Sequence, residues 1–277
     1  MNKAKVKKNI VNLKKIKEII QISKFDTLQK LNKETKVSDT YLEMALSAKA
    51  LIDFAYSTYK IKEKRVKNKI NKTLWVYVTP DLELMSISNA KFEKIIKNNF
   101  DKENDIIISL GDKAEKFVKR ENLNPEFSSQ TTKGHENALA VSIWTFIIKG
   151  IVSSVKFVIN TPKIKEEAIT IFPMHNLNLD TKKLNLRINK HYKFYPSINT
   201  SLISITQIYI FRIVHALIKE SQYLHLKEKL IRHEASIKSV DAKMELKIRD
   251  MNKLNRKQET EELILVSQIA KRGVENE

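Results

Sequence analysis

The chain contains no cysteine. That excludes disulfides, thiolate nucleophiles and cysteine-based metal sites. Glycine is scarce, four in 277 residues, and proline is nearly as rare at five. So few breakers leave room for long unbroken helices. No signal peptide is expected, because the basic start Met1 to Lys8 is followed by no long apolar region. Long apolar runs are missing as well. The best candidate for a membrane span, Ala138 to Ile159, is interrupted by Lys149, Gly150 and Lys156. Its uninterrupted part is too short for a bilayer core of about 30 Å, so it reads as a buried helix followed by a buried strand. Acidic residues are outnumbered, 32 against 51 basic ones, for a net charge of +19.

That excess is uneven. Residues 1–72 hold 19 Lys and Arg against 7 Asp and Glu, which places +12 in the first quarter. Such a segment attracts polyanions, whether nucleic acid, an anionic membrane face or an acidic protein surface. No aromatic–basic interleaving or nucleic-acid-reading module accompanies it, so no nucleic acid is expected as a partner.

What the chain has in abundance is helical periodicity. From Gln207 to Glu277 there is no proline, and Gly273 is the only glycine. Leu226, Leu230, Ile237, Val240, Met244, Ile248 and Met251 follow steps of four, seven, three, four, four and three, and His233 fills the long step. An apolar line on a charged helix is a coiled-coil seam. At about 1.5 Å per residue this helix is roughly 100 Å long and needs a partner along its length. At the other end, Val6, Ile10, Leu13, Ile16, Ile20, Phe25, Leu28 and Leu31 form an apolar stripe. A second helical pattern runs from Tyr41 to Tyr59, and the polar stretch Asn32–Asp39 between them reads equally as helix or break. The two chain ends are expected to wind together as an antiparallel coiled coil, with everything between them inserted.

The middle alternates strand and helix. Leu74–Val78, Asp105–Leu110, Val155–Asn160 and Ala168–Phe172 read as strands, each a nearly continuous apolar run. Asn89–Phe100, Asp112–Arg120 and His135–Lys149 read as helices, and Asn122–Lys133 and Asn176–Asn199 as irregular segments. This alternation predicts a mostly parallel, Rossmann-like sheet covered on both faces. The expected fold class is therefore α/β plus long α. The expected divisions are 1–66 for the first helix, 67–206 for the α/β domain and 207–277 for the last helix.

Catalytic signatures are absent. Gly111 lies between a strand and a helix, where an anion could bind, but a phosphate loop needs more glycines and a Gly-Lys-Ser/Thr. The six histidines, 135, 175, 191, 215, 225 and 233, have no metal-ligand spacing. Catalytic residues, a metal and a cofactor on this chain are not expected.

The layout and motifs resemble the central-stalk gamma subunit of F-type ATP synthases. That family opens with a pattern like R-I-x-S-I-K-x-T-x-x-I-T and a later K-L. Ile10, Leu13, Lys14, Ile19, Lys30 and Leu31 match it in place. Near the other end, Glu220-Ser221 resembles the family's Glu-Ser. It leads without a gap to Asn252-Lys253, Thr260, Glu262 and Leu263, which match N-[KR]-x-R-Q-x-x-I-T-x-E-L. The Arg-Gln pair of that pattern falls on Asn255-Arg256 and is lost. Leu82 to Ser86 replaces the family's glycine-rich turn after Asp81, and Phe194-Tyr195-Pro196 stands where the family has Tyr-Glu-Pro.

The resemblance implies a divergent, non-catalytic rotor subunit, with ATP and Mg on partner subunits. Those partners would be alpha- and beta-like ATPase subunits in a hexameric ring. An epsilon-like subunit and a membrane rotor, or another load such as surface motility, would complete the assembly. It further implies a cytoplasmic site peripheral to the inner face of the cell membrane. Ring-contact residues implied by the resemblance are Lys14, Lys15, Lys30, Arg256, Gln258, Thr260, Glu262 and Leu263. The rival readings are a nucleic-acid-binding coiled coil and a coiled-coil scaffold.

Overall fold

A computed structural model describes residues 3–59, 72–79, 89–132, 134–159, 168–174 and 193–274, without the side chains of 269–274. Readings at Asp81–Ser86, His175, His191 and most of 176–199 lie outside the described residues. In chain order the elements are α1 (Lys3–Tyr59), β1 (Thr73–Val78), α2 (Ala90–Asn99), β2 (Ile106–Leu110) and α3 (Asp112–Arg120). They continue with β3 (Pro125–Ser129), α4 (Glu136–Ile148), β4 (Ser154–Val158), β5 (Ala168–Phe172) and α5 (Ile198–Val274). The chain divides into two compact units, residues 1–29 with 229–277, and residues 30–228.

Unit 30–228 is built on a five-stranded sheet of order β3-β2-β1-β4-β5. β1 runs parallel to both β2 and β4, and β2 parallel to β3, but β5 is antiparallel to β4. The sheet is therefore mostly parallel, as expected, with β5 as its antiparallel strand. Nine residues separate Val158 from Ala168, too few for the crossover of a dozen or more that a parallel partner requires. Pro125–Ser129, expected to be irregular, is the edge strand β3. Its polar composition and leading proline mask it, yet proline is tolerated as the first residue of an edge strand because no ladder bond is asked of its nitrogen.

β1 is apolar from Leu74 to Val78 because both of its faces are covered. Successive side chains point to opposite faces. Leu74, Val76 and Val78 join Ile108, Leu110, Val155, Phe157, Ile169 and Ile171 against α4, α1 (Ala45, Ala48, Ile52, Ala55) and α5 (Tyr209 to Ile218). Trp75, Tyr77 and Ile107 face α2 and α3 through Ile96, Ala114, Phe117 and Val118. The Trp75 indole donates to Asp105 Oδ2 at 2.9 Å, and the same carboxylate accepts the Thr73 amide at 2.8 Å.

α1 is unbroken through Asn32–Asp39 because the inward polar side chains there find partners. The Ser38 hydroxyl donates to Glu220 Oε2 at 3.0 Å, and Glu34 lies 3.4 Å from Lys219. α5 starts at Ile198, nine residues before the expected Gln207. Its first turns serve the sheet core rather than a coiled coil, so the coiled-coil period is not visible there. α5 is the one helix among the described residues long and apolar enough to cross a membrane, and 44% of its most apolar window is buried. The inward half of that window is the core row Tyr209, Ile210, Ile213, Val214, Leu217 and Ile218.

The turn after β2 is filled by protein. Gly111 has φ +98°, and a Cβ there would lie 2.1 Å from the Thr79 carbonyl oxygen. The Thr79 hydroxyl oxygen accepts the Ala114 amide at 3.1 Å, so one free N–H of the first turn of α3 is already used. Gly111→Ala combines a left-handed backbone with a direct clash, and is expected to cost about 2 kcal/mol or more in urea unfolding. The Tyr77 hydroxyl is buried without a hydrogen-bond partner among the described residues, and burial, with Glu93 nearby, pushes its pKa up. Tyr77→Phe therefore removes a stranded polar group, and its unfolding free energy should stay level or rise by about 1 kcal/mol.

Candidate partner-contact surface

Unit 1–29 with 229–277 is a pair of helical segments running in opposite directions. Lys3 Nζ reaches Gln258 Oε1 at 2.9 Å, Lys17 reaches Asp241 at 2.7 Å, and Lys24 reaches Glu234 at 2.9 Å. As α1 numbers rise, their α5 partners fall. On α1 the inward row is Val6, Ile10, Leu13, Lys17, Ile20, Lys24 and Thr27. On α5 it is Leu230, His233, Ile237, Val240, Met244, Lys247, Met251 and Leu254. Both rows step by alternating threes and fours, the 3.5-residue period that keeps one line of side chains facing a partner helix.

This period corrects three expected positions. Ile248 is 39% exposed, because the seam reaches Lys247 and then Met251. Ile16 and Phe25 are 45% and 63% exposed, because Lys17 and Lys24 hold the inward places instead. Choosing the apolar residue nearest each expected step had hidden the true phase. Lysine can occupy such a position because its methylene stem packs while the ammonium reaches a carboxylate at the edge. Leu226 is half-buried and lies in the other unit.

One layer of the seam is polar on both sides. Thr27 is 1% exposed, and its hydroxyl donates to the Ser23 carbonyl at 2.8 Å. His233 Nε2 lies 3.4 Å from the Thr27 hydroxyl oxygen. With the hydroxyl proton spent on Ser23, the ring nitrogen is the donor in this pair. Desolvation lowers the His233 pKa, and the Lys229 charge lowers it further.

Of the residues implied as ring contacts, Lys14, Lys15 and Lys30 are exposed, as are Arg256, Gln258, Thr260, Glu262 and Leu263. Gln258 accepts from Lys3, and the Thr260 hydroxyl donates back to the Arg256 carbonyl at 2.8 Å. Two apolar features extend beyond the named contacts. Leu263, Ile264, Leu265 and Val266 are four consecutive apolar residues at 70%, 50%, 57% and 64% exposure. At about 100° per residue they cover every side of the helix. They lie past the point where Lys3 meets Gln258, in the part of α5 that continues to Val274. Val11, Ile19, Ile22 and Phe25 form a second exposed apolar row, on the outer side of α1. Among the described residues no group of three or more His, Asp or Glu side chains converges as a metal site would require.

Solved structures with a similar fold include ATP synthase rotor chains. A rotor chain of the Euglena gracilis mitochondrial enzyme superposes with a TM-score of 0.51 at 14% identity, over 92% of this chain and 98% of that one. A chain from the central stalk and c-ring of the Tetrahymena thermophila mitochondrial enzyme gives 0.54 at 16% identity, over 79% and 99%. In sequence the chain is 24% identical to the ATP synthase gamma chain of Mesoplasma florum and 27% identical to that of Mycoplasma capricolum, over 77% of each chain. It is also 27% identical to an uncharacterised protein of Ureaplasma parvum, over 92% of this chain and 93% of that protein. No protein-family model matches the sequence. The fold is thus that of an ATP synthase central stalk. In sequence it is similar, at 24–27% identity, to ATP synthase gamma chains.

The polar layer gives a pH test. Folding lowers the His233 pKa, so the folded chain binds that proton less tightly than the unfolded chain. Its contribution is intact above the unfolded value of about 6.5 and is lost as pH falls through the lowered folded value. Melting curves from about pH 8 to about pH 5 should therefore show an acid-side loss that His233→Gln reduces. An identical profile for the variant would remove His233 as the cause.

Proposed function

We propose that this chain is the rotor, or central-stalk, subunit of an F1-like rotary ATPase, coupling ATP hydrolysis or synthesis on an alpha3-beta3 ring to rotation. The observation that carries the reading is the bare end of α5. A single helix apolar on all sides is stable only where it is enclosed on all sides, and the axis of a ring provides such a socket. Enclosing the exposed part of Leu263–Val266 contributes roughly 4–7 kcal/mol before the cost of association, at about 1.5–3 kcal/mol for a fully buried side chain.

The antiparallel helix pair supplies stiffness, and its two unlike faces present different surfaces to otherwise equal ring sites. Differential contact with those faces is what couples rotation to the state of each site. Lys14, Lys15 and Lys30 would meet acidic loops on the ring. As exposed charges they contribute little affinity singly but steer the encounter.

In this reading the chain is non-catalytic, and ATP and Mg reside on alpha- and beta-like partners. The protein works in the cytoplasm at the inner face of the membrane. The strand order β3-β2-β1-β4 supports a Rossmann-like description of the inserted domain. Residues 1–66 and 207–277 then act as shaft and 67–206 as the lobe. An epsilon-like subunit and a membrane rotor are the expected load. A specialised load, such as surface motility, is the alternative reading that the departures from the family's glycine-rich turn and Tyr-Glu-Pro prompt.

Affinity isolation of the tagged chain from its own cells tests this. Recovery with a hexameric ATPase, in substoichiometric amount, is expected. Replacing Leu263–Val266 by glutamine, or ending the chain after Leu254, should cut that recovery about tenfold or more while the sheet domain stays folded. Unchanged recovery of the ring by both variants would overturn the rotor reading. Recovery of nucleic acid alone, released by salt, would favour the nucleic-acid-binding reading instead.

A further inference from the structure

Inside unit 30–228, three helices meet at one ammonium group. Lys219 of α5 lies 3.4 Å from Glu34 of α1 and 3.5 Å from Glu136 at the start of α4. It also donates to Gln222 Oε1 at 2.9 Å, and Gln222 Nε2 donates to Glu136 Oε1 at 3.4 Å. One turn away, the His215 ring stands 2.9 Å from the Asn137 side-chain amide. The side chains of Lys219, Glu34 and Glu136 are 22%, 25% and 13% exposed. Burial alone would raise the Glu136 pKa. Its own backbone amide and the Lys219 charge outweigh burial and hold the carboxyl below its usual range.

Beyond Asn137 the buried face of α4 is apolar. Leu139, Ala140 and Ile143 are buried in the core shared by the sheet, α1 and α5. Apolar burial is non-directional and does not by itself set the position of a short helix along its neighbours. Between Glu136 and Lys149, α4 carries no charge, so its amino-terminal end is where a directional contact can act. A single cation between two carboxylates from different helices is such a contact. Removing the cation leaves two acidic groups close together in a partly dry site, where they repel.

We propose that Lys219 is a positioning residue, a pin that fixes α4, and with it the sheet, against α1 and α5. This assignment uses only the geometry of this unit and stands independently of the rotor reading. On that reading, the pin is where load passes between lobe and helices.

The absence of cysteine allows clean labelling of the full chain. Spin labels at Ser142→Cys on α4 and Ser204→Cys on α5, both exposed, report the separation of the two helices. The unmodified junction should give one narrow distance distribution. Lys219→Met should broaden or split it, and should speed amide exchange in Leu139–Ile143 about tenfold, with helix content retained. The swap Lys219→Glu with Glu136→Lys keeps one cation and two carboxylates, and should restore the narrow distribution. If Lys219→Met loses helix content, Glu136→Gln, which removes one arm only, is read in the same way. A narrow distribution in both Lys219→Met and Glu136→Gln, or a swap no better than the single changes, would overturn the assignment.

Discussion

Everything in this protein depends on two long helical segments each burying one row of side chains. Among the described residues of the unit formed by 1–29 and 229–277 there is no sheet and no third element. The seam between the segments is the interior they share. Isolated helices are marginal in water, and tertiary packing of the inward face supplies most of their stability. The 3.5-residue step is therefore a requirement, since a row that drifts around the helix loses its partner within a few turns. Scarce glycine and proline are the composition that this demand leaves.

The same two helices meet a different demand in residues 30–228. There the inward side of α5 is apolar at Tyr209, Ile210, Ile213, Val214, Leu217 and Ile218, a wider stripe than a coiled-coil seam. It covers one face of the sheet, and α1 offers small residues, Ala45, Ala48 and Ala55, that let the backbones approach. The helices are thus part of the domain core rather than tethers to it. Apolar burial makes this core stable, and the polar contacts at Ser38, Glu34 and Lys219 give the packing direction.

Polar groups inside the seam follow the same logic at smaller scale. Thr27 and His233 give up apolar contact area at one layer, and Lys17 and Lys24 do so at two others. Each finds an oxygen partner, which is the condition for burying it at modest cost. Coiled-coil helices use such layers to specify one pairing among several apolar alternatives. The exposed end of α5 is the exception. Among the described residues Leu263–Val266 have no partner row within the unit, and such a surface marks an interaction site.

Much of this was legible beforehand. Periodicity and missing breakers announced two long helices, and apolar runs marked β1, β2, β4 and β5, because strands covered on both faces are mostly apolar. β3 was hidden because an edge strand at the rim is allowed serine and proline. The direction of β5 was present in the nine-residue connection, unread. The phase of the seam failed at Ile16, Phe25 and Ile248 because sequence shows which residues are apolar, not which face a neighbour. The exposed end of α5 was visible as a Leu-Ile-Leu-Val run but could not be told from core, since exposure is a property of what lies alongside. What the amino-acid order determined alone was local: helix, strand and charge, each set by neighbours in the chain. Which row turns inward, which lysine meets which carboxylate and which apolar surface stays bare were decided only by tertiary packing, because each depends on residues some 200 positions away along the chain, as Thr27 and His233 are.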